Sequence, residues 1–329
     1  MEVVDFLYYS NFTFFYPFFK LYLSFCGIYN KNMKGKIKNK NIKKFTFIDL
    51  FAGIGGFHIA FHNVGAECVF ASEWDQPARK TYQANFEKIS PKMFTLGNFV
   101  GDITKIDKKK IPDFDILTGG FPCQPFSQAG FKRGFGDTRG TLFYDIAEII
   151  RIKKPKAFFL ENVRHLYAHD DKKTFKIIER ILTKELGYSL YSYIVKASDH
   201  GLPQNRPRLF MIGFRNKKIV FEPPQKRNLA FTMSDVFGAK VNRDIGFTLR
   251  VGGKGSKITD RRNWDSYLVN GKPKRLSPKE GKKMQGFPND FVFPVSDNQA
   301  MKQLGNSVAI WAIQDYAQKI IEALDKHYE

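Results

Sequence analysis

One cysteine of this chain has a setting that suits a nucleophile. Cys123 lies in the loop GGFPCQPFS, residues 119–127, directly after the apolar run 114–118, which predicts a strand. The prolines on either side stiffen the loop around the thiol, and α/β enzymes bind their ligands where strands end. A lone cysteine is more often a small buried apolar residue, and Cys68 on a predicted strand fits that description. We therefore predict that Cys123 is the reactive thiol.

A carboxyl group and two guanidiniums could activate such a thiol and act with it in catalysis. Glu161 ends the predicted strand 157–161, and Arg206 and Arg208 come just before the predicted strand 209–213. Nearby guanidiniums lower the pKa of a thiol and hold a carboxylate in place. Two arginines on a surface would mean little alone, but together with the cysteine and the carboxyl group they predict a catalytic site.

A glycine-rich loop predicts a nucleotide-type pocket. The predicted strand 45–50 runs into FAGIGG, residues 51–56, where glycines let backbone approach a ligand closely, although such a loop can also be only a tight turn. The next predicted strand, 68–73, ends in Glu73 and Trp74, a carboxylate for ribose hydroxyls and an aromatic face for adenine. Asp102 adds a carboxylate for the exocyclic amine of adenine, or alternatively caps a turn.

These loops need a sheet that positions them. Short apolar runs alternate with helical stretches, a pattern typical of β-α-β units, so we predict an α/β fold with a mostly parallel, twisted sheet and helices on both faces. The predicted strands are residues 45–50, 68–73, 114–118, 157–161, 188–195 and 209–213, and the predicted helices include 57–64, 141–152 and 174–185. Residues 303–324 predict a turn followed by a closing amphipathic helix.

Composition narrows the class of protein. Lys and Arg outnumber Asp and Glu by 53 to 32, a net charge of +21 that favours a polyanionic partner, although a genome of low GC content also enriches Lys. The 3 cysteines form no C-x-x-C pair and the histidine pairs lack the H-E-x-x-H pattern, so we predict no disulfide framework, no metal and a reducing cytoplasm. The N-terminal apolar stretch is interrupted by polar residues and Pro17, which disfavours a membrane anchor.

The order of these loops resembles that of the bacterial C5-cytosine DNA methyltransferases over residues 45–320. The resemblance includes RLSPKE at 275–280, QGFP at 285–288 and QLGNSV at 303–308; Lys279 stands where the family more often has Arg. It implies a Rossmann-like S-adenosylmethionine-dependent methyltransferase fold with a small target-recognition domain. It also implies cofactor contacts from Phe51, Ala52, Gly53, Ile54, Gly55, Gly56, Glu73, Trp74, Asp102, Ile103, Pro122, Leu142, Asn306, Ser307 and Val308.

The resemblance also implies the reaction. Cys123 adds to C6 of a cytosine while Glu161 protonates or hydrogen-bonds N3, with Arg206 and Arg208 in support, and C5 then accepts the methyl group. The target must be flipped out of duplex DNA to be reached. The residues that we predict to contact DNA are Gln124, Ser127, Lys132, Arg133, Arg250, Gly252, Gly253, Arg261 and Arg262.

The predicted organisation has four parts. Residues 1–42 are an N-terminal extension, disordered or the product of a misassigned start, because Met33 opens a Lys-rich stretch before the first strand. Residues 43–214 form the catalytic and cofactor-binding domain, 215–285 the target-recognition domain, and 286–329 return to the catalytic domain. We predict a monomer that has no obligate protein partner and that modifies one short specific DNA sequence. Residues 248–250 and 267–271 resemble those of enzymes that modify GC-rich palindromes such as GCGC.

Three other functions are alternatives to this one, and each conflicts with a feature of the sequence. An amino-methyltransferase needs an Asp-Pro-Pro-Tyr-like loop at a strand end, and Pro223-Pro224 does not stand at one. A tRNA cytosine methyltransferase shares nearly all of these motifs, but its usual Cys-Phe-Thr tripeptide is missing, because no cysteine follows Cys123. A catalytically inactive DNA-binding scaffold would have lost the nucleophile or the acid, and both are present. The sequence therefore favours an active DNA enzyme.

Overall fold

The computed structural model describes residues 45–122, 142–251 and 255–328. A seven-stranded sheet with the order β3-β2-β1-β4-β5-β7-β6 forms its centre. The strands are β1 Thr46–Leu50, β2 Glu67–Ser72, β3 Phe99–Val100, β4 Ile116–Gly120, β5 Ala157–Val163, β6 Tyr191–Lys196 and β7 Pro207–Phe214. Strands β1 to β5 pair in parallel, whereas β7 is antiparallel to both β5 and β6. The prediction of an α/β fold with a mostly parallel sheet is confirmed.

Helices connect and cover the strands. They are α1 Gly56–Asn63, α2 Gln76–Phe86, α3 Pro91–Thr95, α4 Leu142–Lys153, α5 His165–Ala168, α6 Lys173–Arg180, α7 Met233–Phe237, α8 Pro278–Gln285, α9 Asp297–Asn306 and α10 Ile310–Tyr328. One π-helical turn, Ile181–Glu185, continues α6. Sequence reasoning did not identify α2, which is capped by Asp75: the Asp75 side chain accepts a hydrogen bond from the Ala78 N–H. The predicted turn at Gln303 is instead helical, and the break between α9 and α10 follows Asn306.

Both faces of the sheet are buried. Along β5, Phe159 belongs to a hydrophobic cluster that includes residues of α1, α2 and α10, whereas Phe158 and Leu160 belong to a second cluster with residues of α4 and α6. Successive side chains of a strand point to opposite faces, so a strand covered on both sides is apolar at every position. This is why the β5 sequence begins with an unbroken run of apolar residues, of which Phe158, Phe159 and Leu160 each contribute roughly 1.5–3 kcal/mol when fully buried.

The chain after β7 has little regular structure until its last helices. Helix α7 begins with a capping box between Thr232 and Asp235. A hairpin follows, made of β8 Ser266–Val269 and β9 Lys272–Arg275, and the Tyr267 hydroxyl accepts a hydrogen bond from the Phe247 N–H at 2.8 Å. All described residues belong to one compact unit. The predicted boundaries after residues 214 and 285 stay predictions, and the extension 1–42 lies outside the described residues.

The C-terminal segment packs against the first half of the chain. Asn63 Nδ2 at the end of α1 donates to Gln314 Oε1 of α10 at 2.9 Å. Thr81 of α2 donates its hydroxyl hydrogen to Gln303 Oε1 of α9, also at 2.9 Å. The end of the chain thus helps to position the helix that follows the glycine-rich loop. Across the described residues, none of the helices combines the length and the apolar character needed to cross a membrane.

Candidate active site

One pocket joins three of the predicted groups at the carboxyl edge of the sheet. It encloses about 320 Å³ of space, part of it open to solvent. Its lining comprises Phe51, Ala52, Gly53, Gly56, Phe57, Gly120, Glu161, Asn306, Ser307 and Val308. Strands β1, β4 and β5 are parallel neighbours, so their carboxyl ends meet at this edge. The fold therefore brings the glycine-rich loop, the predicted acid and residues 306–308 together.

The backbone of the loop explains its glycines. Gly53 and Gly55 have φ angles of 56° and 84°, in the left-handed region that glycine adopts without strain. A Cβ atom at Gly55 would lie 2.1 Å from Cε2 of Phe86, so the position also requires the absence of a side chain. Phe51 has a φ of 55°, which costs a non-glycine residue roughly 1 kcal/mol or more. The loop is held in this shape by its surroundings, and Ala52 N donates to Ser72 O at 2.9 Å.

The loop touches the segment that closes the pocket. A Cβ atom at Gly56 would lie 2.5 Å from Val308 Cγ2 and 3.3 Å from Ser307 Oγ. Only glycine allows so close an approach at the first turn of α1. The two segments are far apart in sequence, yet they contact each other and both line the same pocket.

Glu73 and Trp74 differ sharply in exposure. Glu73 is 7% exposed, and its carboxylate accepts hydrogen bonds from Gly53 N at 2.7 Å and Asp75 N at 2.8 Å. Burial raises the pKa of Glu73, and these backbone N–H groups only partly reverse the rise. Trp74 is 77% exposed, so its indole face lies open beside the carboxylate. An aromatic ring left this open is unusual, because burying it would stabilise the fold.

Asp102 caps a turn, which is the alternative that the sequence left open. Its Oδ1 accepts from Thr104 N at 3.0 Å and from the Thr104 hydroxyl at 2.8 Å, and these hydrogen bonds lower the pKa of Asp102. Ile103 is buried beside it. Neither residue lines the pocket described above, and nor do Pro122, which is exposed, and Leu142, the first residue of α4.

Glu161 forms a nearly buried ion pair with Arg208. Arg208 Nε lies 2.9 Å from Glu161 Oε1, although the N–H is not aligned well enough for a hydrogen bond. Burial raises the pKa of Glu161, and the positive charges of Arg208 and Arg206 offset only part of the rise. A Cβ atom at Gly120 would lie 3.3 Å from Glu161 Oε2, so the glycine leaves room around the carboxyl group. The surroundings of Glu161 therefore favour its protonated form more than water favours that of an exposed carboxyl group.

Arg206 lies apart from this pair. It is 2% exposed, and its guanidinium donates to Leu249 O at 2.9 Å, to Gly305 O at 3.0 Å and to Ser307 O. Its Nε has no hydrogen-bond partner among the described residues. Arg206 therefore donates hydrogen bonds to three backbone carbonyl groups around the pocket, and it affects the pKa of Glu161 only through its positive charge.

A match to a protein family decides the identity of the chain. The family described as C-5 cytosine-specific DNA methylase matches residues 45–241 and 239–322. The chain belongs to this family. The methylase therefore transfers the methyl group of S-adenosylmethionine to carbon 5 of cytosine in DNA, through a covalent adduct of cysteine with the base. The predicted family, activity, cofactor and DNA substrate are confirmed.

Curated relatives resemble the methylase over most of their length. It is 43% identical to type II methyltransferase M.SsoII of Shigella sonnei, covering 87% of this chain and 83% of the relative. It is 42% identical to M.HpaII of Haemophilus parainfluenzae, covering 88% and 93%, and 37% identical to M.HhaI of Haemophilus parahaemolyticus, covering 88% and 98%. Among solved structures, Entamoeba histolytica methyltransferase EhMeth matches with a TM-score of 0.65 at 20% identity, covering 87% of this chain and 100% of that chain, and shows the shared fold.

The predicted DNA-contacting residues of the methylase divide into two groups. Cys123, the predicted nucleophile, lies outside the described residues, as do Gln124, Ser127, Lys132, Arg133, Gly252 and Gly253. Arg250, Arg261 and Arg262 are exposed. Arg250 donates to Arg262 O at 2.8 Å, and the Arg262 guanidinium meets both carboxylate oxygens of Asp260, with Nη2 2.7 Å from Oδ2. The exposed Arg250 guanidinium therefore lies against the backbone of Arg262.

Sequence reasoning missed four residues of this region of the methylase. Phe57 and Gly120 line the pocket, and Gln204 and Gln285 are fully buried near Arg206. Gly120 had a signal, because a second glycine before the cysteine loop indicates a crowded neighbour. Gln204 lies in a loop and Gln285 is the last residue of α8, and glutamine in such places is mostly exposed, so nothing in the local sequence separates these two from exposed glutamines.

Proposed function

We propose that the methylase modifies one cytosine within a short duplex DNA sequence, as the modification enzyme of a type II restriction-modification system, and that it acts as a monomer. The observation that carries this proposal is that Glu161, the glycine-rich loop and residues 306–308 line the same pocket. The curated relatives are named type II methyltransferases and match over most of both chains, which supports the assignment of the methylase to a type II restriction-modification system.

The residues present fit S-adenosylmethionine, which supplies an electrophilic methyl group when bound. The Glu73 carboxylate has lone pairs left after its two backbone hydrogen bonds and accepts from the ribose hydroxyls. The exposed Trp74 indole stacks on adenine. Residues 51–56 and 306–308 enclose the rest of the cofactor. Asp102 Oδ1 is engaged by Thr104, whereas Oδ2 lies 3.9 Å from Lys105 Nζ, too far for a hydrogen bond, and accepts from the adenine amine.

The chemistry follows from a protonated Glu161 and a cysteine thiolate. The Cys123 sulfur forms a bond to C6 of the flipped cytosine while Glu161 delivers a proton to N3, which makes C5 nucleophilic. Arg208 fixes the Glu161 carboxyl group, and the raised pKa of Glu161 supports its role as the acid. After C5 has gained the methyl group, a base removes the C5 proton, the bond from sulfur to C6 breaks, and N3 returns its proton to Glu161. The thiolate and the protonated Glu161 are regenerated with no change of oxidation state.

Binding of the duplex relies on the basic surface. Arg250, Arg261 and Arg262 are exposed and contact phosphates and base edges of the site. Lys132 and Arg133, which the sequence predicts to contact DNA, add two further positive charges. The net charge of +21 supports this assignment, since phosphate neutralisation dominates the affinity of proteins for DNA.

The decisive experiment is to express the protein in a bacterial host without DNA methylation and to map 5-methylcytosine by bisulfite sequencing. Methylation confined to one motif, together with resistance of that DNA to a restriction endonuclease cutting there, is the expected result. Unmodified DNA, or modification scattered without a motif, refutes the proposal. A GC-rich palindrome is the predicted motif.

Two cysteine variants test the covalent step. Cys123→Ser is expected to abolish methyl transfer and to keep DNA binding, because only the nucleophile changes. Cys68→Ala is the matched control, since Cys68 is buried at 4% exposure and its thiol contacts Phe70 O inside the core. Methyl transfer that survives in Cys123→Ser excludes the covalent role of Cys123.

A further inference from the structure

Three buried polar side chains link the closing segment of the pocket to the exposed arginine surface. Gln204, Arg206 and Gln285 are 0%, 2% and 0% exposed. Gln204 Nε2 donates to Gln285 Oε1 at 3.3 Å and to Met284 O at 3.1 Å, which joins the loop before β7 to the end of α8. Buried amides and guanidiniums need partners, because an unpaired buried polar group costs about 1–3 kcal/mol.

One end of this network holds Leu249, the residue directly before Arg250. Leu249 N donates to Gln204 Oε1 at 3.1 Å, and Leu249 O accepts from Arg206 Nη1 at 2.9 Å. The Leu249 side chain is itself 1% exposed. Both polar backbone groups of Leu249 are thus fixed by side chains from the loop that precedes β7, in a region with no strand or helix of its own.

The other end holds the segment that closes the cofactor pocket. Gln285 Nε2 donates to Leu304 O at 2.8 Å. Arg206 Nη2 donates to Gly305 O at 3.0 Å and to Ser307 O, and Ser307 lines the pocket. The same guanidinium therefore holds Leu249 on one side and Ser307 on the other.

The two ends also touch directly. A Cβ atom at Gly305 would lie 2.7 Å from Arg250 C and 3.0 Å from Val251 N, so the end of α9 packs backbone to backbone against residues 250 and 251. Close-packed interiors transmit displacement, because there is no free volume to absorb it. A shift of residues 304–308 must therefore move residues 249–251 or break buried hydrogen bonds.

We propose that Gln204 and Gln285 are positioning residues that couple cofactor binding at residues 306–308 to the conformation of residues 249–251. The proposal rests on the proposed function in one respect, namely that the surface continuing from Arg250 binds DNA. Coupling of this kind is reciprocal, so bound DNA would tighten cofactor binding by the same factor by which the cofactor tightens DNA binding. Neither glutamine contacts the pocket itself, since neither is part of its lining.

Amide hydrogen exchange with and without S-adenosylmethionine tests the proposal on the full chain and needs no DNA. In the wild-type protein, the cofactor is expected to slow exchange in residues 51–56, and also in residues 246–251 at the far end of the network. In Gln285→Met, which keeps the length of the side chain but cannot donate to Leu304 O, protection of residues 51–56 should remain and protection of residues 246–251 should be lost. Gln318→Met is the matched control, because Gln318 is exposed and its side chain donates a hydrogen bond to Glu322 on the same helix.

The outcomes separate the proposal from the proposed function. Equal protection of residues 246–251 in Gln285→Met and wild type overturns the coupling, and so does a wild-type protein in which the cofactor protects only residues 51–56. If Gln285→Met unfolds, Gln204→Met removes the bond to Leu249 N and gives the same readout. Absence of DNA methylation in the mapping experiment refutes the proposed function but leaves this result unchanged.

Discussion

Arg208 and Glu161 form an ion pair across two antiparallel strands, with Nε 2.9 Å from Oε1 and side chains 15% and 10% exposed. The register of β5 and β7 pairs Glu161 with Phe210, which puts Arg208, two residues earlier on β7, on the same face of the sheet as Glu161. Burial raises the pKa of the carboxyl group and the arginine counteracts the rise, so the pair sets the pH range in which Glu161 holds its proton.

Replacement of Arg208 by Met should shift the pH dependence of methyl transfer. Without the guanidinium, the pKa of Glu161 rises further, and because the protonated carboxyl group is the active form, the limb where activity falls with rising pH moves to higher pH. Single-turnover rates measured across pH check this. Glu161→Gln is the control: it should lack that limb and react about 10²–10⁴-fold more slowly. If the limb does not move in Arg208→Met, the limb does not report the titration of Glu161 under the influence of Arg208.

Removal of the exposed indole should weaken cofactor binding without unfolding the protein. Trp74 is 77% exposed, so Trp74→Ala removes little packing. An aromatic stack contributes about 0.5–1.5 kcal/mol, which predicts a rise of roughly 2- to 10-fold in the KM for S-adenosylmethionine at unchanged Tm. Leu96→Ala is the control, since Leu96 is 71% exposed. A KM identical to wild type in Trp74→Ala would exclude the stack.

A side chain at Gly305 should destabilise the junction between α9 and residues 250 and 251. The added methyl group of Gly305→Ala would lie 2.7 Å from Arg250 C, which is backbone and cannot turn away. We expect a loss of about 1–3 kcal/mol in the free energy of unfolding, measured by urea denaturation. Gly101→Ala is the control, because a Cβ atom at Gly101 meets nothing within 4 Å. Equal urea midpoints in Gly305→Ala and Gly101→Ala would show that the junction accommodates the added methyl group without loss of stability.

Asp49 should make the protein less stable as pH rises. It is 1% exposed, its Oδ2 has no hydrogen-bond partner among the described residues, and burial raises its pKa well above the ordinary value. A carboxyl group with a raised folded pKa favours the folded state at low pH and loses that contribution as pH rises from the ordinary pKa through the folded one. The Tm of Asp49→Asn relative to wild type should therefore increase with pH.

Asp235 provides the control of opposite sign. The backbone N–H and hydroxyl of Thr232 lower the pKa of Asp235, so its contribution to stability is present above its unfolded pKa and disappears as pH falls through the folded one. Asp235→Asn should be less stable than wild type at neutral pH and equal to it in acid. Stability differences that change with pH in the same direction in the two variants would contradict at least one of these assignments.

Much of the site could be read from local sequence. Loops that follow apolar strands mark the carboxyl edge of an α/β sheet, and the loops at residues 51–56 and the end of β5 do meet at one pocket there. Glycine spacing and strand periodicity report local backbone geometry, which neighbouring residues largely determine. The exposed Trp74 and the buried Glu73 also follow from their places at the end of β2.

Sequence alone therefore determined the α/β class, the positions of most strands and of four helices, and the order of loops that identifies the family. Only the tertiary structure decided that Arg206 braces backbone while Arg208 pairs with Glu161, although the two stand two residues apart in β7 and the loop before it. Only it revealed Gln204 and Gln285, whose partners lie as far as 81 residues away along the chain. Contacts at such separations depend on how elements pack, and packing leaves no periodic signal in the residues that make it.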